Sequence, residues 1–215
     1  MKAKVNVTPI WIEKLKDGSE SFTDVFARLI KDRTIFLTGE ITQESAAVTI
    51  ALLLLLDNQD NENDITIWLY SDGGDAQGFF AIYDVMQLIK SPVSTICVGN
   101  ASSAAALLLS AGTPGKRCAL PNSSVMIHQI QISGEITGTG TEVENEMGEV
   151  KKLNKRLFEI LAAHSGQTFA KVKRDCIHDK YLNAEEAKEY GIIDVIMKPT
   201  KIIPEINKKP KPKKA

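Results

Sequence analysis

Three β-rich runs, each closed by a glycine-bearing break and followed by a helical stretch, constrain this chain most. Thr34-Ile35-Phe36-Leu37 ends before Gly39. Ile65-Thr66-Ile67-Trp68-Leu69-Tyr70 stops at Ser71-Asp72-Gly73-Gly74. Val93-Ser94-Thr95-Ile96-Cys97-Val98 stops at Gly99. Between them, residues 43–56 are almost continuously apolar, the mark of a helix covered on most sides. Phe79, Ile82, Tyr83, Met86 and Ile89 recur at helical spacing until Pro92. Residues 101–111, small residues and leucine, predict a tightly packed helix. Val125-Met126-Ile127 is a fourth strand candidate. Strands alternating with helices imply βαβ units and a largely parallel sheet. Such sheets gather their sites at the carboxyl ends of strands, so the loops bearing Gly73-Gly74, Gly99 and His128 should converge on one edge.

The rest of the chain is less regular. Residues 132–141 are Gly- and Thr-rich, a loop or exposed hairpin. Thr141-x-x-Glu144 has the form of a capping box. It predicts the start of a long helix carrying Val143, Met147, Val150, Leu157 and Leu161 and ending at Gly166. Short helices are expected near 168–176 and 184–190, and a closing strand over 192–196. The Lys-rich stretch 1–30 has one apolar patch, Ile10-Trp11-Ile12.

Charge separates two parts. With 26 basic and 27 acidic residues the chain is formally −1. Residues 197–215 hold seven lysines, four prolines and one glutamate, which leaves 19 basic and 26 acidic residues before them. The tail is thus +6, with the composition of a mobile terminus, and the body is −7. An acidic body argues against a folded nucleic-acid module. A 43% hydrophobic chain of 215 residues is long enough for a core without staples, and is not a disordered composition.

Cys97, Cys118 and Cys176 are odd in number and lack a C-x-x-C, so neither a disulfide framework nor a zinc site is expected. Cys97 and Cys118 lie in apolar runs and read as small buried hydrophobes. No apolar stretch follows Lys2 and Lys4 as in a signal peptide, and residues 46–56 are too short to span a bilayer. The expectation is a cytoplasmic protein with neither a membrane nor a nucleic-acid partner.

Motifs for bound groups are missing. Gly115-Lys116 is followed by Arg117, not a hydroxyl residue, and neither G-x-G-x-x-G nor H-E-x-x-H occurs. No cofactor or metal is expected. Gly99-Asn100-Ala101-Ser102-Ser103-Ala104-Ala105 places serines at a strand-to-helix turn. There a hydroxyl can be exposed beside amides that stabilise an oxyanion, or it can simply cap the helix. Local sequence favours the cap, and the pattern is not the G-x-S-x-G elbow. His128, taken alone, reads as a structural histidine. His164 sits where it would meet a helix dipole. His178, flanked by Asp175 and Asp179, reads as a surface residue, and Asp179 as part of a charged loop.

Residues 33–194 resemble the proteolytic subunit of the ATP-dependent Clp protease, a serine peptidase family. The resemblance runs through Thr34-Ile35-Phe36-Leu37-Thr38-Gly39 and Ala81-Ile82-Tyr83-Asp84-Val85-Met86-Gln87. It continues through Gly112-x-x-Gly115-Lys116-Arg117, Leu120-Pro121-Asn122-Ser123 and Met126-Ile127-His128-Gln129. His164-x-Gly166-Gln167 and Ala184-x-Glu186-Ala187-x-x-Tyr190-Gly191-x-x-Asp194 complete it, and Ser21-Phe22 to Leu29 is similar to the family's N-terminal segment.

The resemblance implies a Clp/crotonase-like βαβ superhelical fold with a protruding handle helix over about 141–165. It divides the chain into an axial-loop and first-helix segment (1–30), a catalytic domain (31–196) and the basic tail (197–215), which has no family counterpart. It implies Ser103 as nucleophile, His128 as base and Asp179 as third member, matched in Arg174-Asp175-Cys176-Ile177-His178-Asp179-Lys180-Tyr181-Leu182. The oxyanion donors would be the amides of Gly74 and Ala104, and Trp68 would stand on the partner-docking surface in place of a family tyrosine. The implied protein is a homo-oligomer of two stacked heptameric rings. An AAA+ unfoldase would spend the ATP and deliver unfolded polypeptides for cleavage. Two other readings use the same fold: a non-catalytic ring subunit, which the full triad disfavours, and an acyl-CoA enzyme, which the serine and histidine motifs disfavour. Asp72 and Ile130 stand where the family has prolines, and the loop after His128 is longer.

Overall fold

A computed structural model describes residues 9–14, 17–132 and 134–198. A hairpin of β1 (Ile10–Lys14) and β2 (Glu20–Asp24) leads into α1 (Val25–Lys31). Then follow β3 (Thr34–Ile41), α2 (Gln43–Gln59), β4 (Ile65–Gly74), α3 (Ala76–Leu88), β5 (Val93–Ser102) and α4 (Ala104–Ser110). The second half comprises β6 (Arg117–Ala119), β7 (Ser124–Ile127), α5 (Gly140–Ser165), α6 (Phe169–Asp175), β8 (Lys180–Asn183), α7 (Ala184–Tyr190) and β9 (Val195–Ile196). The tail beyond Lys198 and residues 1–8 of the expected N-terminal segment lie outside the described residues.

The sheet has the order β3-β4-β5-β6-β9, with every pair along it parallel, as the alternation of runs predicts. On its edge away from β4, β5 serves two neighbours. Residues Thr95 to Cys97 pair with β6, while Asn100 to Ser102 pair with β7, which in turn takes β8 antiparallel. This fork carries the edge of the sheet past Gly99 and keeps Asn100, Ala101 and Ser102 extended. The helix expected from 101 therefore starts at Ala104 instead. β3 likewise runs past Gly39 to Ile41, through a bulge between Thr38 and Glu40.

Alternation in β4 buries Ile65, Ile67 and Leu69 against the helices. α4 is buried at every position, so its small residues let the sheet and α3 close around it. α2 buries only Ala46, Thr49, Leu53 and Leu56, while Val48, Leu54 and Leu55 are exposed. Its continuous apolarity therefore leaves an open apolar face in the single chain.

α5 extends over 26 residues and buries only Leu157, Phe158 and Leu161. Its capping box is Thr139 with Glu142, two residues before the expected one. Thr139 N–H donates to Glu142 Oε2 at 2.7 Å, and this reciprocal pair starts the helix at Gly140. Gly166 ends it in the left-handed region. The closing strand shrinks to β9 because the Ile192 N–H turns back to Ala187 O at the end of α7, which leaves Ile192 and Ile193 buried but outside the ladder. β8 was not expected at all.

One ion pair ties the far side of the sheet together. Arg117, 7% exposed, holds Asp194 with both Nε and Nη2, and its Nη1 donates to the carbonyls of Ser110 and His164. Asp194 also accepts from the Gly115 and Arg117 amides. β6, the C-termini of α4 and α5, and the approach to β9 thus meet at one guanidinium.

All three cysteines are free. Cys97 and Cys176 are buried, and burial pushes their thiols up, to about 11 and about 12. Cys118, expected to be buried, is only half-buried on short β6. No helix among the described residues is long and apolar enough to cross a membrane.

Candidate active site

Strand register assembles the site. Ser103 is the first residue past β5, and its N–H donates to Met126 O of β7 at 2.8 Å. His128 is the first residue past β7. Asp179 immediately precedes β8, and the pairing Ile127↔Lys180 sets it opposite His128. Three residues far apart in sequence thus meet at one edge of three adjoining strands, two following their strands and Asp179 preceding antiparallel β8.

Ser103 has φ 55 and ψ −123, a conformation that costs a non-glycine residue roughly 1–3 kcal/mol. Its backbone is held on both sides, because its carbonyl accepts from the amides of Ala106 and Leu107. It occupies the N-cap position of α4 but makes no side-chain cap bond. The cap reading favoured by local sequence is therefore wrong. The Oγ lies 2.7 Å from His128 Nε2 instead.

The strain depends on Gly73. A Cβ there would lie 2.6 Å from Ser103 Cβ and 2.8 Å from Ser102 O. A Cβ on Gly74 would collide with the Ile41 backbone. Gly73 thus lets β4 lie directly against the serine turn, while Gly74 lets β4 close on the end of β3. Gly74 and Ala104 both line the cavity beside Ser103. As the first residue of α4, Ala104 has an N–H with no acceptor inside the helix.

His128 Nδ1 lies 3.3 Å from Asp179 Oδ1, with the imidazole 11% and the carboxylate 42% exposed. The contact is close but misaligned, so Nδ1 is buried without a hydrogen bond. Asp175 stands apart from this cluster and holds Lys171 and Lys180. Hydrogen bonding and charge from those lysines outweigh burial and hold its carboxyl below the usual range. His178 is exposed.

Two contributors were not singled out from sequence. Gln129 donates its N–H to Cys176 O at 2.8 Å and its Nε2 to Ile177 O at 3.0 Å, so both ends of this residue grip the loop before Asp179. The only signal was its place beside His128. Asn154 of α5 accepts from Ile130 N–H at 2.7 Å, anchoring the chain after the histidine. No pattern in the sequence marked it.

His164 does not serve the α5 dipole. Its Nε2 is 3.1 Å from Tyr83 Oη, and the two rings meet edge to face. Burial, then the nearby Arg117 charge, holds its pKa below the usual value and favours the neutral ring. Trp68 is half-buried and stacks on Phe36, which meets Phe26 edge to face.

The cavity beside Ser103 measures about 570 Å³, with Phe79, Leu107, Met126 and Leu157 among its apolar walls. It shares His128, Gln129, Ile130, Gln131 and Asp179 with a second hollow of about 550 Å³. The two form a trough along the chain after His128. Among the described residues no cluster of three or more His, Cys, Asp or Glu is arranged to hold a metal.

A Clp/crotonase-like α/β fold with hydroxyl, imidazole and carboxylate in series at one strand edge defines a class, the peptide hydrolases built on that fold. The model of the Clp protease family matches residues 17–200. The chain belongs to that family and is a protease of the Clp type.

Proposed function

We propose that this protein is the serine endopeptidase subunit of a chambered, ATP-dependent protease. The observation that carries this reading is the 2.7 Å contact between His128 Nε2 and the Oγ of a strained Ser103 that caps no helix. A serine hydroxyl is a weak nucleophile until a base takes its proton. In this reading Ser103 Oγ attacks the scissile carbonyl while His128 Nε2 accepts its proton. Asp179 holds the Nδ1–H and stabilises the imidazolium. The amides of Gly74 and Ala104 donate to the oxyanion. His128 then returns the proton to the leaving amine, and water, activated by the same histidine, hydrolyses the acyl-enzyme. Ser, His, Asp is an unusual chain order, but geometry defines a triad.

The partners follow from the family, whose complexes join Clp ATPases to the protease. An AAA+ unfoldase delivers unfolded chains and spends the ATP, and this subunit uses no cofactor. Stacked heptameric rings are supported by surfaces a lone subunit leaves bare: the apolar face of α2, Trp11 and Phe22 of the hairpin, and the unburied start of α5. The aromatic row ending in Trp68, with exposed Tyr70 nearby in β4, suits an unfoldase contact. Three free thiols suit a cytoplasmic setting.

A fluorophosphonate probe tests the chemistry. It should label the wild type at Ser103 and leave Ser103→Ala unlabelled and inactive on peptides. Full peptidase activity in Ser103→Ala would overturn the assignment. Native mass spectrometry should show a tetradecamer, and unfolded proteins should be degraded only with a Clp-type ATPase and ATP.

A further inference from the structure

The side-chain charge lining the cavity beside Ser103 is of one sign only. Its lining includes the carboxylates Glu40, Asp72, Asp75 and Asp179 and no lysine or arginine. Two of the four are committed elsewhere: Asp75 caps α3 through the Gly78 amide at 2.7 Å, and Asp179 faces His128. Glu40 and Asp72 take part in no ion pair among the described residues. Asp72 is held by a neutral group, the Asn100 side-chain amide, which donates to Oδ1 at 2.6 Å. That bond orients the carboxylate without cancelling its charge.

Their place in the sheet puts them beside the reacting bond. Strand ends run in the order β3, β4, β5, β7, β8, bearing Glu40, Asp72, Ser103, His128 and Asp179 respectively. Asp72 precedes Gly73, the residue pressed against Ser103, so its backbone lies within one residue of the nucleophile. Glu40 pairs with Gly73 in the β3–β4 ladder. The two free carboxylates thus flank Ser103 on the side away from His128, and the leaving amine departs over the histidine.

We propose that Glu40 and Asp72 select peptides carrying lysine or arginine next to the scissile bond, and disfavour acidic residues there. This rests on the peptidase reading and names its substrate class. A cationic side chain entering the trough meets two unpaired charges, whereas an acidic one meets like charge on both strands. Arginine can also take Asp72 bidentately. Both carboxylates are solvent-accessible, so the selection is moderate and weakened by salt.

Binding to the full-length Ser103→Ala protein separates this inference from the chemistry. Three fluorescent peptides, identical except for lysine, glutamine or glutamate beside the same leucine, serve as probes. At low salt the lysine peptide should bind about ten-fold tighter than the glutamate peptide, with glutamine between. The contrast should shrink at high salt and vanish when Glu40→Gln and Asp72→Asn are added. Each single isosteric change should remove part of it, which guards against a fold defect in the double variant. Equal binding of all three peptides would overturn the proposal, as would an ordering that survives both neutralisations. Hydrolysis of the same peptides by the wild type runs in parallel. No turnover would sink the peptidase reading, while the binding order still decides the charge preference.

Discussion

His128 and Asp179 face each other one step beyond the last pair of the antiparallel β7–β8 ladder, with Nδ1 and Oδ1 3.3 Å apart. β8 is only four residues long, so a short ladder sets the geometry of this pair. Asp179→Asn should leave the fold intact, because the side chain is 42% exposed. It should lower kcat on a short peptide by about 10²- to 10⁴-fold, since a neutral amide beside Nδ1 stabilises no imidazolium and can favour the wrong tautomer. Steady-state kinetics with a circular dichroism control checks this. A loss of less than ten-fold would remove Asp179 from the proposed triad.

Gly73 makes a second prediction. Its neighbours on the side where a Cβ would fall are backbone and the Ser103 Cβ, none of which is a flexible chain end. Its φ of 96 also disfavours any other residue. Gly73→Ala should cost about 1–3 kcal/mol of stability and displace the serine turn. Fluorophosphonate labelling of Ser103 should slow at least ten-fold even where the variant remains folded. Wild-type labelling rates would show that the turn does not depend on this close approach.

Gln129 holds the loop that presents Asp179 without touching the serine. Gln129→Ala removes the bond to Ile177 O but keeps the backbone bond to Cys176 O. Activity should fall about three- to thirty-fold, in kcat more than in KM, because misplacing a catalytic group by a fraction of an ångström is costly. Combining it with Asp179→Asn should add little, since a residue acting through Asp179 has nothing left to position. Additive losses in the double variant would assign Gln129 a separate role.

The legible parts of this molecule are those where local pattern and tertiary packing agree. Ile65 to Tyr70 alternates and is half-covered, and Phe79, Ile82 and Met86 face the core at helical spacing. The alternating runs also located the serine, glycine and histidine loops on one edge. The illegible parts are those where long-range contacts override local preference. Ser103 has the composition of a cap, yet β7 and Gly73 hold it strained with its hydroxyl free. Lys180 to Asn183 is too short and mixed to signal a strand, and only β7 makes it one. Asp179 therefore read as a loop residue until family resemblance marked it. Asn154 and Gln129 act through single hydrogen bonds that leave no periodic trace.

Acid should loosen the junction where α5 meets the sheet, in two steps of the same sign. His164 has a folded pKa held down by burial and by Arg117, so the unfolded chain binds its proton more readily. Its contribution to stability is complete above the unfolded histidine value of about 6.5 and is lost as pH falls below it. Asp194 is held down chiefly by its hydrogen bonds from the Arg117 side chain. Its contribution is complete above the unfolded aspartate value of about 3.9 and is lost as pH falls through the depressed folded value. Melting temperatures of wild type and His164→Gln should therefore converge between about pH 7 and pH 5, because only the wild type carries the half-buried titrating ring. Asp194→Asn should be less stable by about 3–5 kcal/mol at pH 7, because it strands a buried guanidinium. It should also lose the second acid step. A His164→Gln curve parallel to the wild type throughout would show that the ring at the Tyr83 contact is not what acid attacks.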